Sequence, residues 1–415
     1  MSNLKELIQQ YCPDGVEYRP IWSLTAWDKK FNGIDKSKQK KVIKYNYLLA
    51  ADLKSYQVEG GTVKLLTTNI SNLYTTEELA EDLASDGEVV AIPWGGNPIV
   101  QYYKGRFLTA DNRIATSLDT TLLNNKFLYY CMLSKMDIIA SFYRGSGIKH
   151  PEMAKVLDLE IPVPPLPVQE EIVRILDNFA ELQAELQAEL QKRLQQYNYY
   201  RDKLLTFNDL NGGGYAVSVE WKKLGEIATL IRGGNFQKKD FTDSGVPCIH
   251  YGQIYTHFGI HTTSTLKYIS PEVASKSKIA KTNDIVMAIT SENVEDVGKC
   301  VAWLGDEDIA VSGHTAIIQH KQNAKYLSYY FHSSHFFTQK KRLAHGTKVI
   351  EISPKDLANV IIPIPSLAEQ QRIVDILDRF NILTTDITAG LPAEIEARRK
   401  QYEYYRDQLL TFKRM

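Results

Sequence analysis

Gln196–Phe207 reads QYNYYRDKLLTF, and Gln401–Phe412 reads QYEYYRDQLLTF. Ten of the twelve positions are identical, and the copies lie 205 residues apart. Tyr197, Tyr200 and Leu204 follow helical spacing, as do Tyr402, Tyr405 and Leu409, so each copy reads as one face of a helix. Similar packing volume would be enough to conserve a core face. Yet Gln196, Arg201, Asp202 and Thr206 also recur, and polar residues repeated on two surfaces point to two equivalent partner sites.

The repetition spreads outward from this motif. IPVPPLPVQEEIVRILDNF (Ile161–Phe179) matches IPIPSLAEQQRIVDILDRF (Ile362–Phe380) at 11 of 19 positions. VEYRPIWSL at Val16 resembles VEWKKLGEI at Val219, and RGSGIKH at Arg144 aligns with HGTKVIE at His345. The order is the same in both halves, which makes the repeat the organising feature of the chain. Four segments follow: a globular region over 1–160, a helical region over 161–210, a second globular region over 211–361 and a second helical region over 362–415.

Ile172, Leu176, Phe179, Leu186, Leu190 and Tyr197 extend one apolar stripe along a long helix. A helix of about 40 residues measures roughly 60 Å and needs a partner for such a stripe. The repeat itself is the obvious partner. The expected fold is therefore α+β: two globular regions separated by two long antiparallel helices, coiled-coil-like, with pseudo-twofold symmetry inside one chain. Ser366 and Glu369 have capping-box spacing at the second helical start. Gly390 and Pro392 interrupt that helix, which restarts with proline in its first turn. AELQAELQAELQ (Ala180–Gln191) is a tetrapeptide repeated three times, a strong helix former whose unit adds about 6 Å of helix.

GEVVAIPW (Gly87–Trp94), TVKLLTTNI and RFLTADNRIATSL read as strands in the first globular region, and LLNNKFLYYCMLS as helix. NDIVMAIT, DIAVSGHTAIIQH and AKYLSYYFHSSHFF repeat that order in the second. The loops differ while the scaffold repeats, which is the pattern of two ligand surfaces on one frame. Arg, Lys, Asn and Gln read base edges, and glycines admit a phosphate to the backbone. On this ground the nucleic-acid candidates in the first half are Lys36, Lys38, Lys40, Lys41, Thr68, Asn69, Trp94, Asn97, Arg144, Ser146 and Lys149. Those in the second half are Arg232, Asn235, Tyr251, Gln253, Tyr255, Ser291, His345, Thr347 and Lys348. The partner-contact candidates on the helical segments are Gln169, Tyr197, Tyr200 and Arg201, with Gln370, Tyr402, Tyr405 and Arg406.

The 415 residues carry 49 basic and 49 acidic side chains, so a basic surplus does not announce nucleic-acid binding. Charge is unevenly placed, however. Asp28–Lys44 holds seven lysines and two aspartates, while the helical segments hold many of the acids. Four scattered cysteines form no Cys-x-x-Cys pair, which argues against a zinc site or a disulfide framework and for a reducing cytoplasm. No apolar run approaches the roughly 18 residues of a membrane span. The histidines at 250, 257, 261, 314, 320, 332 and 335 have no metal-ligand spacing, so no metal is expected.

The paired YYRDxLLTF segments, PLPVQEEIVRILD with SLAEQQRIVDILD, and the Ala-Glu-Leu-Gln repeat together resemble the specificity subunits of type I restriction-modification systems. The resemblance covers essentially the whole chain. It implies that each globular region is a target-recognition domain reading one half of a bipartite sequence in double-stranded DNA. It further implies that the helices set the gap and dock two methyltransferase subunits, which two restriction-translocase subunits join. S-adenosylmethionine, ATP and magnesium would serve those partners, and this chain would hold no cofactor. Two alternatives stand beside this reading. A methyltransferase would need a glycine-rich cofactor loop and an Asn/Asp-Pro-Pro-aromatic motif, which GGNPIV at Gly95 does not supply. No nuclease carboxylate cluster or Gly-Lys-Ser/Thr loop appears either. A pure protein scaffold is the other alternative, and indifference to DNA would identify it.

Overall fold

The computed structural model describes residues 2–39, 41–207, 218–385 and 390–415. They form two compact units, Met1–Leu186 with Ile395–Met415, and Gln187–Glu394. These packing units cut across the four sequence segments. The division falls inside the long helix Leu166–Thr206, so each unit takes half of that helix together with part of the other helical region.

In the first unit a six-stranded sheet runs in the order Thr25–Trp27, Asn112–Ser117, Ser85–Pro93, Gln101–Thr109, Val63–Leu66 and Tyr74–Thr75. Neighbours are antiparallel except Val63–Leu66 beside Gln101–Thr109. RFLTADNRIATSL does not form one strand. It turns at Ala110–Asp111, where Asp111 takes φ 49° in the left-handed region that aspartate tolerates better than most residues. Ala91 to Pro93 and Ile114 are buried, and Asn125–Ser134 covers the sheet with Phe127, Leu128 and Met132. Asn124 caps that helix by accepting from the Lys126 and Phe127 amides.

In the second unit there are two five-stranded sheets. One orders Ala228–Arg232, Thr315–His320, Ile285–Ala288, Cys300–Trp303 and His261–Thr262. The other orders Phe241–Thr242, Lys267–Ile269, Val246–Ile249, Ile309–Val311 and Lys278–Ala280. The helix Ala324–Phe331, capped by Asn323, buries Tyr326, Tyr329 and Tyr330. Burial of these phenols is tolerable because each hydroxyl has a partner: Pro363 O at 2.7 Å, Asp378 at 2.7 Å and Ile361 O at 2.6 Å.

The helical regions repeat their contacts residue for residue. In the first unit Phe179 stacks on Tyr405 at 5.6 Å and 23°. In the second, Phe380 stacks on Tyr200 at 5.8 Å and 23°. Asp177 receives Lys126 at 2.8 Å and the Tyr130 hydroxyl at 2.6 Å, and Asp378 receives Lys325 at 2.8 Å and the Tyr329 hydroxyl at 2.7 Å. Within each unit a segment of one helical region thus packs on a segment of the other, which is the partnership the sequence repeat predicts. The second helical region is two helices, Leu367–Thr385 and Leu391–Leu409, and the restart follows Gly390. Ser366 caps the first of these through the Glu369 amide, but the Glu369 carboxylate goes to Arg372, so only half of the capping box is made.

The end of the chain closes the first unit. Val16 bridges Arg414, the Tyr18 hydroxyl donates to Phe412 O at 3.2 Å, and the Met415 amide donates to Val16 O at 3.1 Å. Arg414 also pairs with Glu160 at 2.5 Å. All four cysteines are free and buried. Among the described residues no helix is long and apolar enough to cross a membrane.

Candidate nucleic-acid interface

Each unit presents the end of a central strand beside a glycine-turned hairpin. In the first, Ser85–Pro93 runs out at Trp94, and the hairpin pairs Tyr143–Arg144 with His150–Pro151. The Gly96 amide donates to Lys149 O at 3.0 Å, His150 Nδ1 meets Trp94 O at 2.6 Å, and the Tyr143 hydroxyl donates to Pro93 O at 2.9 Å. In the second, Thr290–Ser291 follows Ile285–Ala288 and pairs directly with Ile350–Glu351. Gly145 and Gly346 turn the two hairpins at φ 141° and 111°. A Cβ at either would fall 2.6 Å or less from a backbone oxygen, Ile148 O or Val349 O, so only glycine fits the turn.

Trp94, Asn97, Arg144, Ser146 and Lys149 are brought together on the first of these surfaces, and all but Trp94 are well exposed. Arg144 is held by Glu152 at 3.0 Å. A cleft of about 460 Å³ opens beside Trp94 and is lined by Lys29, Lys30, Phe31 and Asn32. Behind Trp94 lies a buried ion pair, Arg113 to Asp28 at 3.5 Å. The Arg113 guanidinium sits 4.3 Å from the Trp94 ring centroid, and the Lys29 ammonium 5.7 Å. Burial dominates this pair: it pushes Asp28 up and Arg113 down from their ordinary values despite their mutual attraction. Burial, then the Arg113 charge, lowers Lys29 as well.

Thr68 and Asn69 lie elsewhere, in a separate cleft of about 450 Å³ with Lys54 and Ser71. Lys36 is exposed, Lys38 is tied to Asp158 at 2.5 Å, Lys41 is exposed, and Lys40 falls outside the described residues.

In the second unit Tyr251, Tyr255 and Ser291 share a cleft of about 400 Å³ with His314, Glu292, Asn293, Asp296 and Val349. The Tyr255 hydroxyl donates to Thr290 O at 2.6 Å, and the His314 ring lies 5.0 Å from Tyr251. Arg232 reaches the same hairpin through Glu351 at 2.9 Å, and His345, Thr347 and Lys348 are exposed along it. Asn235 lines a different cleft with Gln237 and Lys276. Gln253 accepts the His250 amide at 2.8 Å, so its carbonyl oxygen is engaged in closing the helix Tyr251–Thr256.

Three partner-contact candidates need correction. Gln169 and Gln370 are fully buried. Each accepts the amide of a helix-capping asparagine, Asn124 at 2.9 Å and Asn323 at 3.0 Å, and donates to the carbonyl of Pro164 or Pro365. They lock helix to globular region and offer nothing to a partner. Tyr197 is buried too, in the second unit's core. Tyr200, Tyr402 and Tyr405 are partly covered by stacking and packing on their own unit. Arg201 and Arg406 lie against Tyr197 and Tyr402 and pair with Asp202 and Asp407. Tyr200 keeps 39% exposure, and the most exposed tyrosines of the two segments are Tyr199 and Tyr404, at 60% and 62%. Helical period was the available signal: 197 and 200 belong to the apolar stripe, and 199 does not.

Arg113, Lys29 and His314 were also missed as site residues. Lys29 was visible in the lysine-rich run. Arg113 lies within a strand, and nothing local distinguishes it. Among the described residues no group of three or more His, Cys, Asp and Glu side chains is placed to hold a metal ion.

The family model for the type I restriction modification DNA specificity domain matches the chain twice, at residues 29–196 and 217–397. The EcoR124I/EcoR124II specificity subunit of Escherichia coli is 35% identical over 317 residues, 72% of this chain and 74% of that protein. A putative type I specificity subunit of Haemophilus influenzae is 33% identical over 354 residues, covering 81% and 86%. In fold, the chain is similar to the crystal structure of a type I S subunit from M. genitalium, with TM-score 0.54 and 14% identity over 96% of this chain and 97% of that one. The doubled strand-end and hairpin surfaces thus sit on a doubled family domain, and the chain belongs to the specificity subunits of type I restriction-modification systems.

Proposed function

We propose that this chain is the non-catalytic subunit that chooses the DNA sequence for a type I complex. Each globular region reads one half of a bipartite, asymmetric target in double-stranded DNA. The helical regions set the gap between the half-sites and dock two methyltransferase subunits, and two restriction-translocase subunits complete the assembly. S-adenosylmethionine, ATP and magnesium serve those partners, and this chain holds no cofactor of its own. One observation carries the reading: both halves offer a strand end and a glycine-turned hairpin at the same place in the repeat, with different exposed side chains on each. A shared frame with unlike tips is what two half-sites of different sequence require. Two half-sites also multiply discrimination, since mismatches at separated positions cost about 1–3 kcal/mol each and add.

The experiment is exchange of residues 1–160 for those of a relative, followed by methylome sequencing of cells carrying the complete system. One half-site changes and the other stays. In the same assay, deletion of one Ala-Glu-Leu-Gln unit alters only the gap. A target unchanged by the exchange, or sequence-independent binding by the chain with its methyltransferase partner, defeats the reading.

A further inference from the structure

The buried ion pair behind Trp94 has no counterpart among the described residues of the second unit. Register makes the comparison direct. Ile92 pairs with Arg113 in the first unit, and the Ile289 amide donates to His314 O in the second, so Arg113 and His314 occupy the same position, and Trp94 corresponds to Ser291. His314 is exposed and helps to line a cleft that Ser291 leaves open. Arg113 has only 6% of its side chain exposed, and Asp28 has 1%. Arg113 is therefore too enclosed to reach a base or phosphate itself.

We propose that Arg113 is a positioning residue, which holds Trp94 as the base-contacting side chain of the first recognition surface. Its guanidinium is fixed by Asp28 and by donation to Asn112 O at 2.6 Å. Its Nε–H has no hydrogen-bond partner among the described residues, and the Trp94 ring centroid lies 4.3 Å from the guanidinium carbon. The Trp94 backbone is pinned on both sides, its amide to Asp111 O at 2.7 Å and its carbonyl to His150 at 2.6 Å. The indole itself meets the His150 ring at 5.2 Å and the Arg113 guanidinium at 4.3 Å, and the buried planar cation is the contact that can set the ring's tilt. A buried pair is weak evidence for stability, and fixing one geometry is the better-attested use. The inference rests on the reading that this surface meets DNA.

The test uses the full chain with its methyltransferase partner and a DNA panel substituted singly in each half-site. R113M and W94A each lower affinity for the intact target about tenfold, the scale of one lost base contact. Both relax discrimination in the half-site assigned to the first region by the exchange above, and the other half-site is read as before. The double variant is no weaker than W94A. R113K keeps a charge opposite Asp28, restoring the melting temperature but not the discrimination. Additive losses in the double variant, equal losses in both half-sites, or full discrimination by R113K overturn the inference. A W94A defect with normal R113M also overturns it and leaves the DNA-facing surface standing; normal W94A overturns it too, and the exchange experiment alone decides the DNA reading. Where R113M fails to fold, R113K and W94F carry the same comparison.

Discussion

The strand end of the first unit carries an indole backed by a buried guanidinium, and that of the second carries a serine beside an open cleft of two tyrosines and an exposed histidine. Around these ends the two units agree to within a few tenths of an ångström in the Asp177 and Asp378 bonds and in the stacked Phe–Tyr pairs. The difference teaches where variation is cheap. A residue at a strand end touches few neighbours, so its replacement costs little scaffold stability. A residue that joins helix to globular region serves several buried bonds at once, and its geometry is nearly the same in both halves.

The largest expected effect is a test of that likeness. Gln169→Ala and Gln370→Ala each leave a buried amide and a proline carbonyl without partners. Each should destabilise its own unit by about 2 kcal/mol, within the range for orphaned buried groups. Urea unfolding followed by probes in each unit measures both. A difference above about 1 kcal/mol between the two would break the equivalence of the joints.

A smaller effect exposes a place where the halves differ. In the first unit the helix Met136–Ser141 buries an isoleucine, Ile139, whereas in the second the helix Ser334–Leu343 buries Lys340. Lys340 donates to Glu295 O at 2.9 Å and Val297 O at 2.6 Å, tying down the turn that borders the Tyr251 cleft. Burial pulls Lys340 down to about 8. The unfolded chain then binds more protons than the folded one between about pH 8 and the ordinary lysine range, so the lysine makes stability rise with pH across that window. K340M should abolish this contribution to the slope, read from melting temperatures between pH 7.5 and 10. An identical slope in K340M would show that the lysine does not carry it.

The smallest effect on stability belongs to the outward tyrosines. Y199A and Y404A should change unfolding free energy by no more than about 0.5 kcal/mol, as exposed positions do. Their effect is expected instead in retention of the methyltransferase partner, measured by titration on a calibrated sizing column. Loss of one bound copy per single variant and of both in the double variant would make the two sites equivalent. Full retention by the double variant would remove these tyrosines from the docking surface.

Most of the architecture was legible because the chain states it twice. Period alone marks the stripe through Tyr197 and Tyr200, and repetition supplies its partner. The sites were less legible. Trp94 and Tyr251 stood out as aromatics in polar loops, but Arg113 gains its meaning only when a distant turn brings it under residue 94. Gln169 and Gln370 misled for a related reason. A repeated polar residue looks like a surface signal, yet a glutamine that satisfies two buried backbone groups recurs for purely internal reasons. Gly145 and Gly346 could be singled out as loop residues, but their positive φ became visible only in the folded hairpins.

The closing bridge between Val16 and Arg414 has a consequence for synthesis. The second unit, Gln187–Glu394, has all of its pieces once residue 394 has left the ribosome, whereas the first, begun earlier, still lacks Ile395–Met415. The usual vectorial order, in which amino-terminal domains finish first, is inverted. The earlier region must wait, with Val168, Ile172 and Leu176 short of their last covering, until Ile395–Met415 emerge. Chaperone demand during translation should therefore centre on the early half of the nascent chain.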